Sequence, residues 1–168
     1  MAVNDSEVTN LPDSVELSDA VAIPLVSLAR DQLVRHRANE QKGEVALMTG
    51  ALEGVGRIAV HSAKKTGAQV IAGVGKRELD DARSLGVAHA MAIDDVEATE
   101  KLQSVHAIVD TVGGQVATKL LAKVKQGDSF VYSSPLPDGA KAQQMAVKTM
   151  CVTAPPDPSK ARICGRPA

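Results

Sequence analysis

Aromatic residues are almost missing from this chain, which has one Phe, one Tyr and no Trp in 168 residues. Proteins that hold single-stranded nucleic acid stack its bases on aromatic rings, so this composition excludes that class. Charge of one sign is equally scarce: 19 Lys and Arg against 20 Asp and Glu leave a net charge of −1. Such a balance gives no electrostatic footprint for nucleic acid or for an anionic membrane surface. Cysteine is limited to Cys151 and Cys164, without paired spacing, so neither a disulfide framework nor a zinc site is read. No apolar run reaches the ~18–20 residues that span a bilayer. The opening Met-Ala-Val-Asn-Asp-Ser-Glu is polar and acidic, unlike a secretory signal. A reduced, cytoplasmic setting is the expectation.

What is present is an ordinary globular composition, 44% hydrophobic and 23% charged, in a length that suits one domain with a core. Residues 1–17 read as a polar lead-in. Ser18 is placed to cap a short helix over Asp19 to Ile23, and Pro24 suits the first turn of a second helix running to about Arg37. From Val45 on, short apolar runs alternate with amphipathic stretches. Strands are expected at Val45–Met48, Gln69–Gly73, Ala90–Ile93, Ala107–Val109, Phe130–Tyr132 and Lys148–Thr153. Helices are expected between them, the one after the fourth strand carrying Val116, Leu120, Leu121 and Val124. Alternation at these lengths implies parallel pairing with right-handed crossovers. The fold class read is therefore α/β: a doubly wound Rossmann sheet of about six mostly parallel strands, order 3-2-1-4-5-6, over residues 18–153. Residues 154–168, with Pro155-Pro156-Asp157-Pro158, read as an irregular tail.

The turn Thr49-Gly50-Ala51-Leu52-Glu53-Gly54-Val55-Gly56 joins the first strand to a helix, the arrangement that aims backbone N–H groups at a dinucleotide pyrophosphate. Aligned on Gly56, the general fingerprint puts Ala51 at its first glycine position and Glu53 at its second. The second strand ends Gly75-Lys76-Arg77 with no carboxylate before Glu78. Lys76 and Arg77 suit a 2′-phosphate, so NADP(H) is expected in preference to NAD(H). Gly75-Lys76 is not a P-loop, because Val70 stands at the upstream glycine position and Arg77 at the Ser/Thr position.

Several pieces, in order, carry a resemblance. They are Gly43-Glu44, Thr49-Gly50-Ala51 with Gly54-Val55-Gly56, and Lys64 to Ala68 with Val70-Ile71-Ala72. Ser84-Leu85-Gly86-Val87 and Asp110-Thr111-Val112-Gly113-Gly114 continue the order. Together, over about residues 11 to 153, the chain resembles the cofactor domain of the medium-chain dehydrogenase/reductase superfamily, in its quinone-oxidoreductase-like branch. The resemblance implies an NADPH-binding Rossmann domain serving two-electron reduction of quinones, enones or related carbonyls. By position it puts Gly54, Val55 and Gly56 at the pyrophosphate, with Gly50, Ala51 and Glu53 beside them. Lys76 and Arg77 fall near the 2′-phosphate, Thr111, Val112 and Gly113 on the adenosine side, and Ser133 and Ser134 at the end of the next strand. It also implies a homodimer through the sixth strand.

The family's N-terminal barrel-like domain has no counterpart in these 168 residues, so the expectation is a cofactor-binding half with little activity alone. Glu53 departs from the family's glycine and crowds the diphosphate. The alternative is a non-enzymatic, degenerate Rossmann module acting through dimerisation or partner binding. No catalytic residue is assigned. His36, His61, His89 and His106 lie on separate elements, and Tyr132 reads as core. Asp80-Asp81 and Asp94-Asp95 read as surface rather than metal ligands, and Cys151 as a buried small apolar residue.

Overall fold

The computed structural model describes residues 10–11, 13–20, 42–133 and 139–152. Within them six strands form one parallel sheet: β1 (Val45–Thr49), β2 (Gln69–Val74), β3 (His89–Ala92), β4 (Val105–Asp110), β5 (Val124–Tyr132) and β6 (Lys148–Cys151), in the order β3-β2-β1-β4-β5-β6. The sheet order is the one expected, and it reverses direction of progress between β1 and β4. In such a sheet the ligand crevice opens at that switch, beyond the strands' carboxyl ends.

The helices are α1 (Leu17–Ala20), α2 (Gly54–Lys65), α3 (Leu79–Ser84), α4 (Val96–Lys101), α5 (Gly114–Leu121) and α6 (Gly139–Gln144), with a 3₁₀ turn at Lys76–Glu78. Alternation along each strand sends successive side chains to opposite faces. In β1, Ala46 and Met48 join one core cluster with Ala59, Val60 and Ala63 of α2 and Ala82 of α3. Leu47 joins the other, with Leu120 and Leu121 of α5, Ala142 of α6 and Phe130 of β5. Half of the buried residues in the first cluster are alanine, whereas the second holds the larger side chains. Gly67, at φ +83, follows α2 in the left-handed conformation that glycine adopts without strain.

Three expectations are corrected. Val124 does not sit on the helix face after β4. It opens β5, and the Val105 N–H donates to the Lys123 carbonyl at 2.8 Å. The helix stops at Leu121, and the chain then loops through Gly127 (φ +85) before the ladder resumes at Ala107 and Ser129. Cys151 is exposed rather than buried, because β6 is an edge strand with an outward-facing pattern. The helix expected over Asp19 to Ile23 begins earlier, at Leu17, so Ser18 lies inside α1 instead of capping it. Its remainder, the second helix up to Arg37, Ser134 and the tail 154–168 lie outside the described residues. None of the described helices is long and apolar enough to cross a membrane.

Candidate functional site

Beyond the carboxyl ends of β1, β2, β3 and β4 lies a cavity of about 260 Å³, lined by Gly50, Leu52, Glu53, Val74, Gly75, Glu78, Ile93, Asp94, Val112 and Val116. Its position is the switch point at which the sheet order reverses.

One wall is the glycine turn. Gly50 adopts φ +60, and a Cβ there would stand 2.3 Å from Thr111 Oγ1. Gly56 has its own reason to be glycine: a Cβ would fall 2.0 Å from the Gly50 carbonyl oxygen, inside backbone that cannot yield. That is the place where the helix packs on the turn, the third role of the dinucleotide fingerprint. Ala51 is fully buried and donates its N–H to the Gly73 carbonyl at 3.4 Å. α2 runs for twelve residues and has no acidic residue in its first turn, so the amides of Gly54, Val55 and Gly56 lack intrahelical acceptors and face an anion-attracting helix end. Glu53 is the N-cap and makes no side-chain cap bond. Its carboxylate folds back over Gly50, with Oε2 3.2 Å from where a Cβ on that glycine would sit, and it forms no ion pair with Arg57.

The opposite wall is Thr111-Val112-Gly113, tied to the first by a buried network. The Thr49 hydroxyl donates to Asp110 Oδ1 at 2.6 Å, and the Thr111 N–H donates to that same hydroxyl at 3.0 Å. The Thr111 hydroxyl donates to the Thr49 carbonyl at 2.9 Å, and the Gly113 N–H donates to Asp110 Oδ2 at 3.0 Å. Asp110 is 1% exposed and Thr49 fully buried. Val112 is 43% exposed and presents an apolar side chain to the cavity. The Ser133 N–H donates to the Asp110 carbonyl at 3.0 Å, which brings the end of β5 alongside, with Ser133 itself exposed.

The third border is the end of β2. The Lys76 N–H donates to both carboxylate oxygens of Asp94, at 3.0 and 3.2 Å, and the Gly75 N–H to Glu78 Oε2 at 3.1 Å. Lys76 Nζ stands 3.6 Å from Asp95 Oδ2, and its side chain is 71% exposed. Arg77 is exposed as well, and both stand outside the cavity lining. Asp95 caps α4 by accepting the Glu97 and Ala98 N–H groups. The Ala98 N–H, the largest influence, holds its carboxyl below the usual Asp range with help from the Glu97 N–H and Lys76, and desolvation, second in size, opposes them.

Of the residues singled out in the sequence, Gly50, Glu53 and Val112 line the cavity, and Gly54, Val55, Gly56, Thr111 and Gly113 belong to the turns that bound it. Sequence reasoning missed Glu78, Asp94, Ile93 and Val74. Each follows or ends a strand at its carboxyl side, and that position was the available signal. Asp110 and Thr49 appeared only as parts of motifs, with no role attached.

No family model matches the chain. By sequence it is 34% identical over 132 residues to the Bacillus subtilis protein YhfP, whose name assigns it provisionally to the quinone oxidoreductases, and the match takes in 73% of this chain and 40% of that one. It is 29% identical over 139 residues to the mitochondrial NAD(P)H oxidoreductase RTN4IP1 of Mus musculus, across 79% of this chain and 35% of that protein. The chain thus spans less than half the length of these curated relatives. By fold it resembles the quinone oxidoreductase from Coxiella burnetii, with a TM-score of 0.76 at 21% identity, over 89% of this chain and 48% of that one. These likenesses bear out the resemblance read from the sequence: the chain is similar to part of proteins named as quinone and NAD(P)H oxidoreductases, and its six-stranded order is that of a Rossmann-like α/β fold.

Proposed function

We propose that residues 18–153 form the nicotinamide-dinucleotide-binding half of a quinone-oxidoreductase-like reductase, with NADP(H) as its cofactor. The observation that carries this reading is the crevice itself: a cavity at the β1/β4 switch point, bounded by the open amino end of α2 and a turn whose Gly50 and Gly56 leave no room for a Cβ. The amides of Gly54, Val55 and Gly56 would hold the pyrophosphate, and Val112 and Ile93 would flank the adenosine end. At the end of β2 the two backbone amides are already taken by Asp94 and Glu78, so the 2′-phosphate is met by the Lys76 and Arg77 side chains. Lys76 turns from Asp95 to do so, an exposed pair that costs little to break.

Bound there, the cofactor supplies a hydride. Its transfer needs an acceptor held close to the nicotinamide in a water-poor pocket, and reduction of a quinone or enone is the activity proposed for it. We further propose that a second copy pairs along β6, an edge strand of the sheet among the described residues, and that the compartment is the cytoplasm.

Calorimetric titration with NADPH and NADH tests the reading. Micromolar NADPH binding with weaker NADH is expected. Tighter NADH binding refutes the phosphate preference alone, and no heat from either refutes the cofactor role. Sedimentation equilibrium checks the dimer, which a monomer at micromolar concentration refutes.

A further inference from the structure

We infer that Thr49 and Asp110 are positioning residues of the crevice: a buried carboxylate and hydroxyl, touching no ligand themselves, that fix the distance between its two walls. The inference rests on the dinucleotide reading above and goes beyond it. Of the four buried polar residues in the described chain, Thr49, Ser62, Thr99 and Asp110, two stand side by side at the carboxyl ends of the strands that flank the switch point. They belong to adjacent strands, 61 residues apart in sequence, and are joined by the 2.6 Å bond from the Thr49 hydroxyl to Asp110 Oδ1.

From this pair the network spreads only into the crevice. Asp110 Oδ2 takes the Gly113 N–H, and the Thr49 hydroxyl takes the Thr111 N–H. The Thr111 hydroxyl returns to the Thr49 carbonyl, immediately before Gly50. Gly50 in turn lies so close to Thr111 that a Cβ would overlap its hydroxyl. One wall carries the pyrophosphate amides and the other the adenosine contact. A ligand that spans both is sensitive to their separation in a way that a ligand on one side is not.

A buried carboxylate is a poor device for stability alone, since well-packed apolar residues of similar volume commonly serve as well. Its worth here is geometric: directional bonds pin two turns that apolar packing would leave free to slide. Neither hydroxyl has spare donor capacity for a ligand, since each donates its one proton within the network.

The test compares wild type, Thr49→Ser, Thr49→Val and Asp110→Asn. Thr49→Val keeps the shape and removes the hydroxyl, while Thr49→Ser keeps the hydroxyl and loses a methyl. Two probes are titrated at a temperature where circular dichroism finds every variant folded: NADPH, which spans both walls, and adenosine 2′-phosphate, which does not reach the glycine turn. Expected are a loss of tenfold or more in NADPH affinity for Thr49→Val and Asp110→Asn, NADPH binding by Thr49→Ser within threefold of wild type, and adenosine 2′-phosphate binding unchanged in all. Equal weakening of both probes indicates general loosening and overturns the assignment. So does a Thr49→Val protein that binds NADPH normally. Should either Thr49→Val or Asp110→Asn not fold, the other, with Thr49→Ser beside it, carries the same comparison. A wild type that binds neither probe refutes the dinucleotide reading itself, and this inference with it.

Discussion

Replacing Glu53 should strengthen cofactor binding, and the structure sets the size of the effect. Glu53 is the N-cap of the helix whose free amides face the crevice, and its exposed carboxylate lies over Gly50. A pyrophosphate on those amides comes to ~6 Å from this charge, where repulsion amounts to ~0.7 kcal/mol at bulk dielectric and ~3 kcal/mol at an effective dielectric of ~20. Those bounds correspond to ~3- and ~150-fold in affinity. Glu53 is exposed, which favours the screened end, at ~1 kcal/mol or ~5-fold. Glu53→Gln removes the charge at nearly constant size and should recover most of this. Glu53→Gly also opens the space above Gly50, and it forfeits no cap bond because Glu53 makes none. Nicotinamide fluorescence titration of the three proteins gives the ratios directly. An electrostatic cause makes the Gln advantage shrink between ~0.1 M and ~1 M salt, as the Debye length falls from ~10 to ~3 Å. Variants that bind no more tightly than wild type refute the argument, and an advantage indifferent to salt refutes its electrostatic part.

Gly56→Ala drives a methyl into the Gly50 carbonyl and should cost ~3 kcal/mol, the upper end for an overpacked site, together with dinucleotide binding; a urea midpoint near that of wild type would contradict it. Ala146 is the one non-glycine among the described residues with positive φ, at +53°, and it is exposed. Ala146→Gly relieves that strain and should stabilise the domain by ~0.5–1 kcal/mol, a rise in Tm of ~1–4 °C; an unchanged or lower Tm counts against it. Asp95, held below the ordinary carboxylate range, gives stability that is present at neutral pH and is lost as pH falls through its lowered value. The stability difference between wild type and Asp95→Asn should therefore narrow on acidification below ~4, and a gap that stays constant across that range would refute the cause assigned.

The sheet order was legible because β1, β2 and β4 hold short apolar runs near glycines, and because alternation with helices leaves few topologies. The glycine turn was legible in part for a related reason: Gly56 answers to the Gly50 carbonyl six residues before it, whereas the demand on Gly50 comes from the Thr111 side chain, 61 residues away. The misreadings share a different origin. Val124 fits the helical spacing of Val116, Leu120 and Leu121, and only its long-range pairing with Val105 makes it strand. Cys151 looks like core in an apolar run, and its exposure follows from the place of β6 at the sheet edge, which no local pattern encodes. Glu78 and Asp94 are 16 positions apart, and meet only once β2 and β3 are paired. The bond between Thr49 and Asp110 was invisible on the same ground.

The unequal filling of the two sheet faces gives the domain a lopsided tolerance to change. On the face of α2 and α3 half of the buried side chains are alanine. Enlarging an alanine there, at Ala46, Ala59 or Ala63, has nowhere to put the added atoms. On the face of α5 and α6, the bulk of Leu47, Ile108, Leu120 and Phe130 makes truncation the damaging change, because it opens a void. Random substitution would thus sort the core by direction: growth purged from one side, shrinkage from the other. Since α2 is the helix that offers its amino end to the crevice, a methyl group added beneath it would move the anion site before it unfolded the protein.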